Sequence, residues 1–257
     1  MRFVVCEDYE ELSQVIATTF LNHMHSANSR VNLCVTTGRT PIRAYELLAP
    51  LVKDKAYFDH VHYYVVDEFW YKQKAEMELD IPVNKMSMDI KFFNAAAIPE
   101  ERIHTLTDQN LESFDEEIRK TGAMDLVLMG VGTDGHFCGN HPGCFTDWNQ
   151  GSHIVNRYQT PQVNEMLEFL LKDDIHSEDT SLIPDHYLTM GPKTVFDARH
   201  IVMIFTGEEK SETVKRAFFG PVTKDFPVSL FQLHSHVTVL LDKAAASCIT
   251  SYLHQNS

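Results

Sequence analysis

The chain has 257 residues, of which 44% are apolar and 23% charged, as in ordinary globular domains. No apolar run approaches the roughly 18 residues that a membrane-spanning helix needs, so we expect no membrane partner. A formal charge of -14 repels a phosphate backbone and argues against nucleic acid as a partner. The N-terminal stretch reaches Glu7 too early for a signal peptide, which predicts a cytoplasmic protein.

The predicted elements alternate between strand and helix along the chain. Strands are predicted at residues 2–6, 31–36, 61–66, 125–129, 200–205 and 237–241, and helices at 8–25, 41–51, 111–120, 208–219 and 242–254. The second helix would have Thr40 as its N-cap and Pro41 as its first residue. This alternation predicts an α/β fold, a doubly wound and mostly parallel sheet with helices on both faces.

One domain over residues 1–257 accounts for this pattern, with two irregular inserts at about 69–91 and 146–184. Long irregular inserts in compact domains are usually lids or binding loops. The five cysteines are scattered and include no Cys-x-x-Cys pair, so disulfides and structural zinc are not expected.

Polar residues follow three of the predicted strands. The turn 36–41 follows the second strand, Asp67 and Glu68 follow the third, and the glycine-rich stretch 130–136 with Asp134 and His136 follows the fourth. The carboxyl ends of parallel strands meet at one edge of a sheet, where open α/β folds bind their ligands. The three segments are therefore expected to face one crevice.

Each candidate has a chemical role and an ordinary structural alternative. Asp67, partly shielded behind an apolar strand, suits a general base, although it would equally serve as a helix cap or ion-pair partner. Asp134 would orient the imidazole of His136 for proton transfer, unless the two are merely turn and surface-loop residues. Lys210 would reach an anion at the same edge, or else be a solvated surface lysine.

A metal site and a serine hydrolase are two further possibilities for this sequence. His136, Cys138, His141 and Cys144 form a conceivable ligand set, but the glycine- and proline-rich loop favours contact with a substrate, so we expect no metal and no cofactor. The chain contains no Gly-x-Ser-x-Gly elbow of a serine hydrolase.

Six motifs in order give the chain a recognisable pattern. They are Thr37-Gly-Arg-Thr-Pro41, Asp67-Glu68, Gly130-Val-Gly-Thr-Asp-Gly-His136, Tyr187-Leu-Thr-Met-Gly191, Gly207-Glu-Glu-Lys210 and Phe231-Gln-Leu-His234. In this order they resemble the superfamily of glucosamine-6-phosphate deaminases and 6-phosphogluconolactonases, and Asn140-His-Pro-Gly143 is nearer the deaminase pattern. The resemblance implies a Rossmann-like sheet.

The resemblance also implies a reaction on a phosphorylated sugar, converting a hexosamine 6-phosphate of the glucosamine or galactosamine type to a ketose 6-phosphate and ammonia. His136, assisted by Asp134, would open the pyranose ring, and Asp67 would move a proton from C2 to C1. His141 is a further candidate catalytic residue, at the position of the family's ring-opening carboxylate. The substrate-binding residues would be Thr37, Gly38, Arg39, Thr40, Glu68, Gly135, Asn140 and Lys210. A homo-oligomer is compatible with the resemblance.

Two departures from the family pattern bear on this function. His141 stands where deaminases have a glutamate, and an imidazole cannot stabilise a protonated His136 as a carboxylate would. The segment 162–166 lacks the phosphate-binding arginine of deaminases, so Arg157 or Arg39 would have to replace it. Two alternatives therefore stay open: a 6-phosphogluconolactonase-type hydrolase, and a sugar-phosphate-binding protein that has lost catalysis.

Overall fold

The computed structural model describes residues 1–26, 29–72 and 82–253. Its main sheet has seven strands, all parallel, in the order β1-β10-β9-β6-β2-β3-β5. These strands are β1 Arg2–Cys6, β2 Val31–Val35, β3 Val61–Val65, β5 Ile103–His104, β6 Leu126–Gly130, β9 Ile201–Phe205 and β10 Val237–Asp242. The sheet confirms the predicted α/β, Rossmann-like fold.

Eight α-helices are described: α1 Tyr9–Met24, α2 Ile42–Val52, α3 Val83–Met88, α4 Leu111–Lys120, α5 Pro161–Ile175, α6 Pro192–Phe196, α7 Ser211–Phe219 and α8 Thr250–Leu253. The longer ones cover both faces of the main sheet. Leu126 and Leu128 of β6 pack into the core formed with α1 and α2, whereas Val127 and Met129 pack into the core formed with α4 and α7. Alternate residues of one strand thus enter opposite cores, which explains the continuous apolar run in its sequence.

A second, antiparallel sheet was not predicted. It consists of β4 Asp67–Glu68, β8 His186–Thr189 and β7 His153–Asn156, in the order β4-β8-β7. Its partner is α5, whose Val163, Leu167 and Leu171 are fully buried in a third core. The expectation of an irregular segment at 146–184 is therefore wrong in detail: Pro161 opens a regular helix, and the four-residue spacing of its apolar side chains gave the signal.

Two predicted helix ends also differ. Pro41 occupies the N-cap of α2 without a side-chain cap, and Thr40 is not the N-cap residue. The last predicted helix is shorter, because β10 continues to Asp242 and a turn and a 3-10 segment precede α8. Residues 254 and 73–81, which belong to predicted segments, lie outside the described part. No helix in the described ranges has the length and apolar character to cross a bilayer.

Candidate functional site

A cavity of about 430 Å³ opens at the carboxyl ends of β2, β3 and β6. Thr37 and Gly38 line it after β2, Asp67 after β3, and His136 after β6, while Lys210 reaches it from the turn before α7. Five of the predicted site residues thus line one cavity, as expected for the carboxyl edge of a parallel sheet.

Asp67 lies on the short strand β4, which leaves the main sheet and pairs with β8. Asn84, at the start of α3, donates its side-chain amide to Asp67 Oδ1 at 2.7 Å and to the Asp67 carbonyl at 3.0 Å. Burial raises the pKa of Asp67 to about 7. A carboxyl group with this pKa is a stronger base than a free aspartate and is still deprotonated in part at neutral pH.

Glu68 does not line the cavity, which corrects the prediction that it binds substrate. Its side chain is fully buried, and its carboxyl oxygens accept hydrogen bonds from the backbone N–H groups of Phe69, Asn84 and Lys85 at 2.8–3.0 Å. Burial raises the pKa of Glu68 to about 8, against the effect of these three donors. The residue ties β4 to the first turn of α3 and so holds Asn84 beside Asp67.

Replacing Glu68 by alanine is expected to lower the free energy of unfolding by about 3 kcal/mol, because three buried N–H groups lose their acceptor. Urea denaturation of Glu68→Ala measures this loss. Glu101→Ala is the matched control, since Glu101 is exposed. Equal stability of the two variants would contradict the assigned role.

Asp134 lies between two imidazoles. The loop after β6 folds back on itself through a hydrogen bond from Gly132 N to His136 O at 2.9 Å. Asp134 Oδ1 is 2.6 Å from His136 Nδ1, and Asp134 Oδ2 is 3.1 Å from His141 Nδ1. The pKa of Asp134 is lowered despite its partial burial, because the hydrogen bonds with the two histidines outweigh the loss of solvent. Asp134 therefore stays ionised.

His136 can act as a proton acceptor at neutral pH. Burial lowers its pKa, the hydrogen bond with Asp134 opposes this, and the electrostatic effect of the neighbouring His141 imidazole lowers the pKa further. A proton on Nδ1, directed at Asp134, leaves the lone pair of Nε2 free. Gly132 leaves room for the His136 ring, because a Cβ atom at position 132 would lie 2.2 Å from the imidazole.

His141 lies against His136, with ring centroids 4.0 Å apart. It is 1% exposed, and its Nε2 has no hydrogen-bond partner among the described residues. Asp134, His136 and His141 bring their ligand atoms within 4.8 Å of one another, close enough to be considered for a metal ion. Their geometry is that of a hydrogen-bonded triad, in which both Nδ1 atoms already face the Asp134 carboxylate.

Part of the cavity wall suits a phosphate. Thr36, Thr37 and Gly38 border it, and Lys210 Nζ lies 2.6 Å from the Val131 carbonyl. Burial lowers the pKa of Lys210, with partial compensation from Glu209 and Asp134. Lys210 is the one cation among the described residues that line the cavity.

The other basic residues considered for the phosphate lie elsewhere. Arg39 is at the surface, where it forms an ion pair of 2.6 Å with Asp173 of α5. Arg157 is buried and donates to Asn164 and to the Thr180 carbonyl, so it anchors the segment around α5. Neither arginine lines the cavity as the structure stands.

Three further predicted substrate-binding residues have structural roles. Gly135 adopts a positive φ of 83°, and a Cβ there would lie 2.5 Å from the Phe226 ring. Asn140 is fully buried and donates to the carbonyls of Phe137 and Met190. Thr40 lies near the Thr206 hydroxyl at 3.5 Å, away from the cavity wall. They shape the loops rather than the cavity surface.

Several residues that line or support the cavity escaped sequence analysis. Asn84 supports Asp67, and three apolar residues of α5 form one wall: Met166, Phe169 and Leu170. The apolar spacing in α5 was a usable signal. Asn84 has no comparable signal in the sequence, because its position depends on how α3 packs against β4.

Comparison with known proteins places this geometry in a family. Residues 7–163 match the family described as glucosamine-6-phosphate isomerases/6-phosphogluconolactonase. Glucosamine-6-phosphate deaminase 1 of Bacillus subtilis (strain 168) is 30% identical over 257 residues, which cover 96% of this chain and 99% of that protein.

Two solved structures share the fold. A monomeric glucosamine-6-phosphate deaminase superposes with a TM-score of 0.77 at 26% identity, covering 96% of this chain and 100% of its own. The 6-phosphogluconolactonase from Trypanosoma cruzi superposes with a TM-score of 0.69 at 20% identity, with 97% of each chain covered. At that identity the second likeness shows the fold alone.

Proposed function

Because the chain belongs to the family of glucosamine-6-phosphate isomerases and 6-phosphogluconolactonases, nearer its deaminases, we propose that it converts a hexosamine 6-phosphate to a ketose 6-phosphate and ammonia. The main observation in support of this proposal is that Asp67, His136 and Lys210 line one cavity. The three groups supply a carboxylate base, an imidazole and a cation, which are the groups that an aldose–ketose isomerisation of a sugar phosphate requires.

Ring opening is the first step. It moves the proton of the C1 hydroxyl away and delivers a proton to the ring oxygen. His136 carries out this transfer through Nε2, and the ionised Asp134 stabilises the imidazolium that forms in passing. The open-chain aldehyde is then exposed to the carboxylate.

Isomerisation follows at C1 and C2. Asp67 removes the proton from C2 and returns it to C1, while the amino group loses one proton and the C1 oxygen gains one. C1 thereby becomes a primary alcohol and C2 an imine carbon. Water hydrolyses the imine, and ammonia leaves with the nitrogen of the amino sugar. The raised pKa of Asp67 suits both the removal and the return of the proton.

The test is incubation of the purified protein with glucosamine 6-phosphate and, separately, galactosamine 6-phosphate. We expect release of ammonia and of ketose 6-phosphate in equal amounts from at least one of them. No ammonia from either substrate would refute a deaminase.

Lactone hydrolysis is the second candidate, and the Asp134–His136 pair favours it. A neutral imidazole held by a carboxylate can activate water on its own, so 6-phosphogluconolactone would require no action of Asp67. Acid release from the lactone that persists in Asp67→Asn would support this alternative over the deaminase.

His141, which stands where deaminases have a glutamate, gives a separate prediction. His141→Gln keeps a hydrogen-bond donor for Asp134 and removes the imidazole whose electrostatic effect lowers the pKa of His136. The pKa of His136 is therefore expected to rise in the variant, and the pH at which neutral His136 becomes available rises with it. NMR titration of the His136 imidazole measures the shift.

The matched control for His141→Gln is His153→Gln, which changes a buried histidine of β7. The pKa of His136 should be the same in this control as in the unaltered protein. If His141→Gln also left it unchanged, His141 would not set the protonation of His136.

A further inference from the structure

A second cavity, of about 540 Å³, lies beside β5, the outer strand of the main sheet, and α4. It is lined by Arg30, which precedes β2, by Tyr64 of β3, by His104 of β5 and by Lys120 at the end of α4. No residue of the described ranges lines both this cavity and the one with Asp67 and His136. Its volume lies within the range of small-molecule sites.

Arg30 has no carboxylate partner among the described residues. Its Nε donates to Asn32 Oδ1 at 2.8 Å, and its Nη2 donates to the Tyr64 hydroxyl at 2.9 Å and faces His104 Nε2 at 3.3 Å. These three contacts leave the two hydrogens of Nη1 without a partner in the described residues. A half-buried guanidinium with a free edge is a ready-made donor pair for an oxyanion.

The guanidinium is held in place by a buried network. Asn32 is 1% exposed, and its amide nitrogen donates to the carbonyl and hydroxyl of Thr121 and to the Ala123 carbonyl. Because Asn32 is fixed in this way, the Arg30 side chain is positioned before any ligand arrives. Preorganised donors bind an anion without the entropy cost of ordering a long side chain.

Further donors point to the same ligand. Arg30 always donates, so His104 Nε2 accepts and the neutral ring carries its hydrogen on Nδ1. The Tyr64 hydroxyl, which accepts from Arg30, keeps its own hydrogen to donate. Lys120 adds an exposed cation, which also lies 3.6 Å from Glu116 Oε1, and Glu117 is the one acidic residue among the described lining residues.

We propose that this cavity binds the phosphate group of a small phosphate monoester, with Arg30 as the principal ligand and Tyr64, His104 and Lys120 as further donors. The site is separate from the catalytic one, and its ligand need not be the substrate.

The experiment is isothermal titration calorimetry with inorganic phosphate. We expect two classes of sites in the unaltered protein, one in Arg30→Gln and one in Lys210→Gln, because each variant removes a different site. Arg119→Gln is the matched control: Arg119 lies on α4 next to Lys120, pairs with Glu116 and does not line the cavity. The control should keep both classes.

NMR of the His104 imidazole gives a second readout that does not depend on Arg30→Gln folding well. Phosphate should shift the His104 signals in Lys210→Gln and shift them at concentrations about tenfold higher in Arg30→Lys, which keeps the charge and loses the guanidinium fork. Unshifted His104 signals and no phosphate binding in Lys210→Gln would overturn the proposal, and so would acetate binding there in place of phosphate. The second class of sites in the calorimetry rests on the proposed phosphate site at Lys210. The His104 signals in Lys210→Gln report the Arg30 cavity alone, so failure there is distinguishable from failure of the proposed reaction.

Discussion

Asp67→Asn is expected to lower kcat for the hexosamine 6-phosphate by a factor on the order of 10²–10⁴ and to leave KM nearly unchanged. The amide has almost the shape of the carboxyl group and can still accept the hydrogen bond from Asn84, but it cannot take the proton from C2. Steady-state kinetics of ammonia release measure the loss. Asp59→Asn, an exposed change before β3, is the control.

The pH dependence of the unaltered enzyme tests the same residue. Burial raises the pKa of Asp67 to about 7, and the base must be deprotonated, so kcat should rise with pH through a midpoint near 7. A midpoint near 4, the ordinary value for aspartate, would show that the carboxyl group is not shielded.

Stability separates loss of chemistry from loss of fold in Asp67→Asn. The pKa of about 7 in the folded protein lies above the ordinary aspartate pKa of 3.8, so the folded protein keeps a proton that the unfolded chain releases. The stabilisation of the fold by this retained proton is complete below pH 3.8 and is lost as the pH rises through 7. The side chain of Asp67→Asn is neutral at every pH, so the variant does not lose stability in this way. Its melting temperature at pH 8 should be at least that of the unaltered protein.

Asp134→Asn is expected to cause a loss of similar size, on the order of 10²–10⁴ in kcat, by a different route. Asp134 accepts from Nδ1 of both His136 and His141. An asparagine has one acceptor oxygen, and its NH₂ group would face one of the two Nδ1 atoms. One imidazole must then change its tautomer or turn away, and His136 no longer presents a free Nε2 reliably.

The control for Asp134→Asn is Asp108→Asn, which alters an exposed aspartate–histidine pair, Asp108 with His186, outside the catalytic cavity. It should leave kcat unchanged. ¹⁵N shifts of the His136 ring report the tautomer directly. Full activity in Asp134→Asn would show that His136 needs no orienting carboxylate.

The proposed catalytic positions were readable from the sequence because each follows a strand. The apolar runs before Asp67 and before the loop of Asp134 and His136 predict buried strands, and parallel strands place their carboxyl ends together. The structure brings these residues and Lys210 to the same region, as predicted. The family pattern supplied the assignment of roles.

The prediction of the substrate-binding residues was less accurate. Glu68 follows Asp67 directly, but successive side chains of a strand point to opposite sides, so one faces the cavity and the other caps α3. Arg39 belongs to the loop bordering the cavity, yet its long side chain turns to Asp173. Adjacency in sequence does not fix the direction of a side chain.

The sequence by itself determined the fold class, the strand ends that bear the proposed catalytic residues and the presence of His141 where the family pattern has a glutamate. These follow from local periodicity and residue identity, which need no knowledge of distant contacts. Only the tertiary structure decided that His141 touches His136, that Asn84 supports Asp67 and that Arg30 faces a cavity with a free guanidinium edge. Such contacts join residues far apart in the chain or depend on side-chain direction, and packing alone determines them.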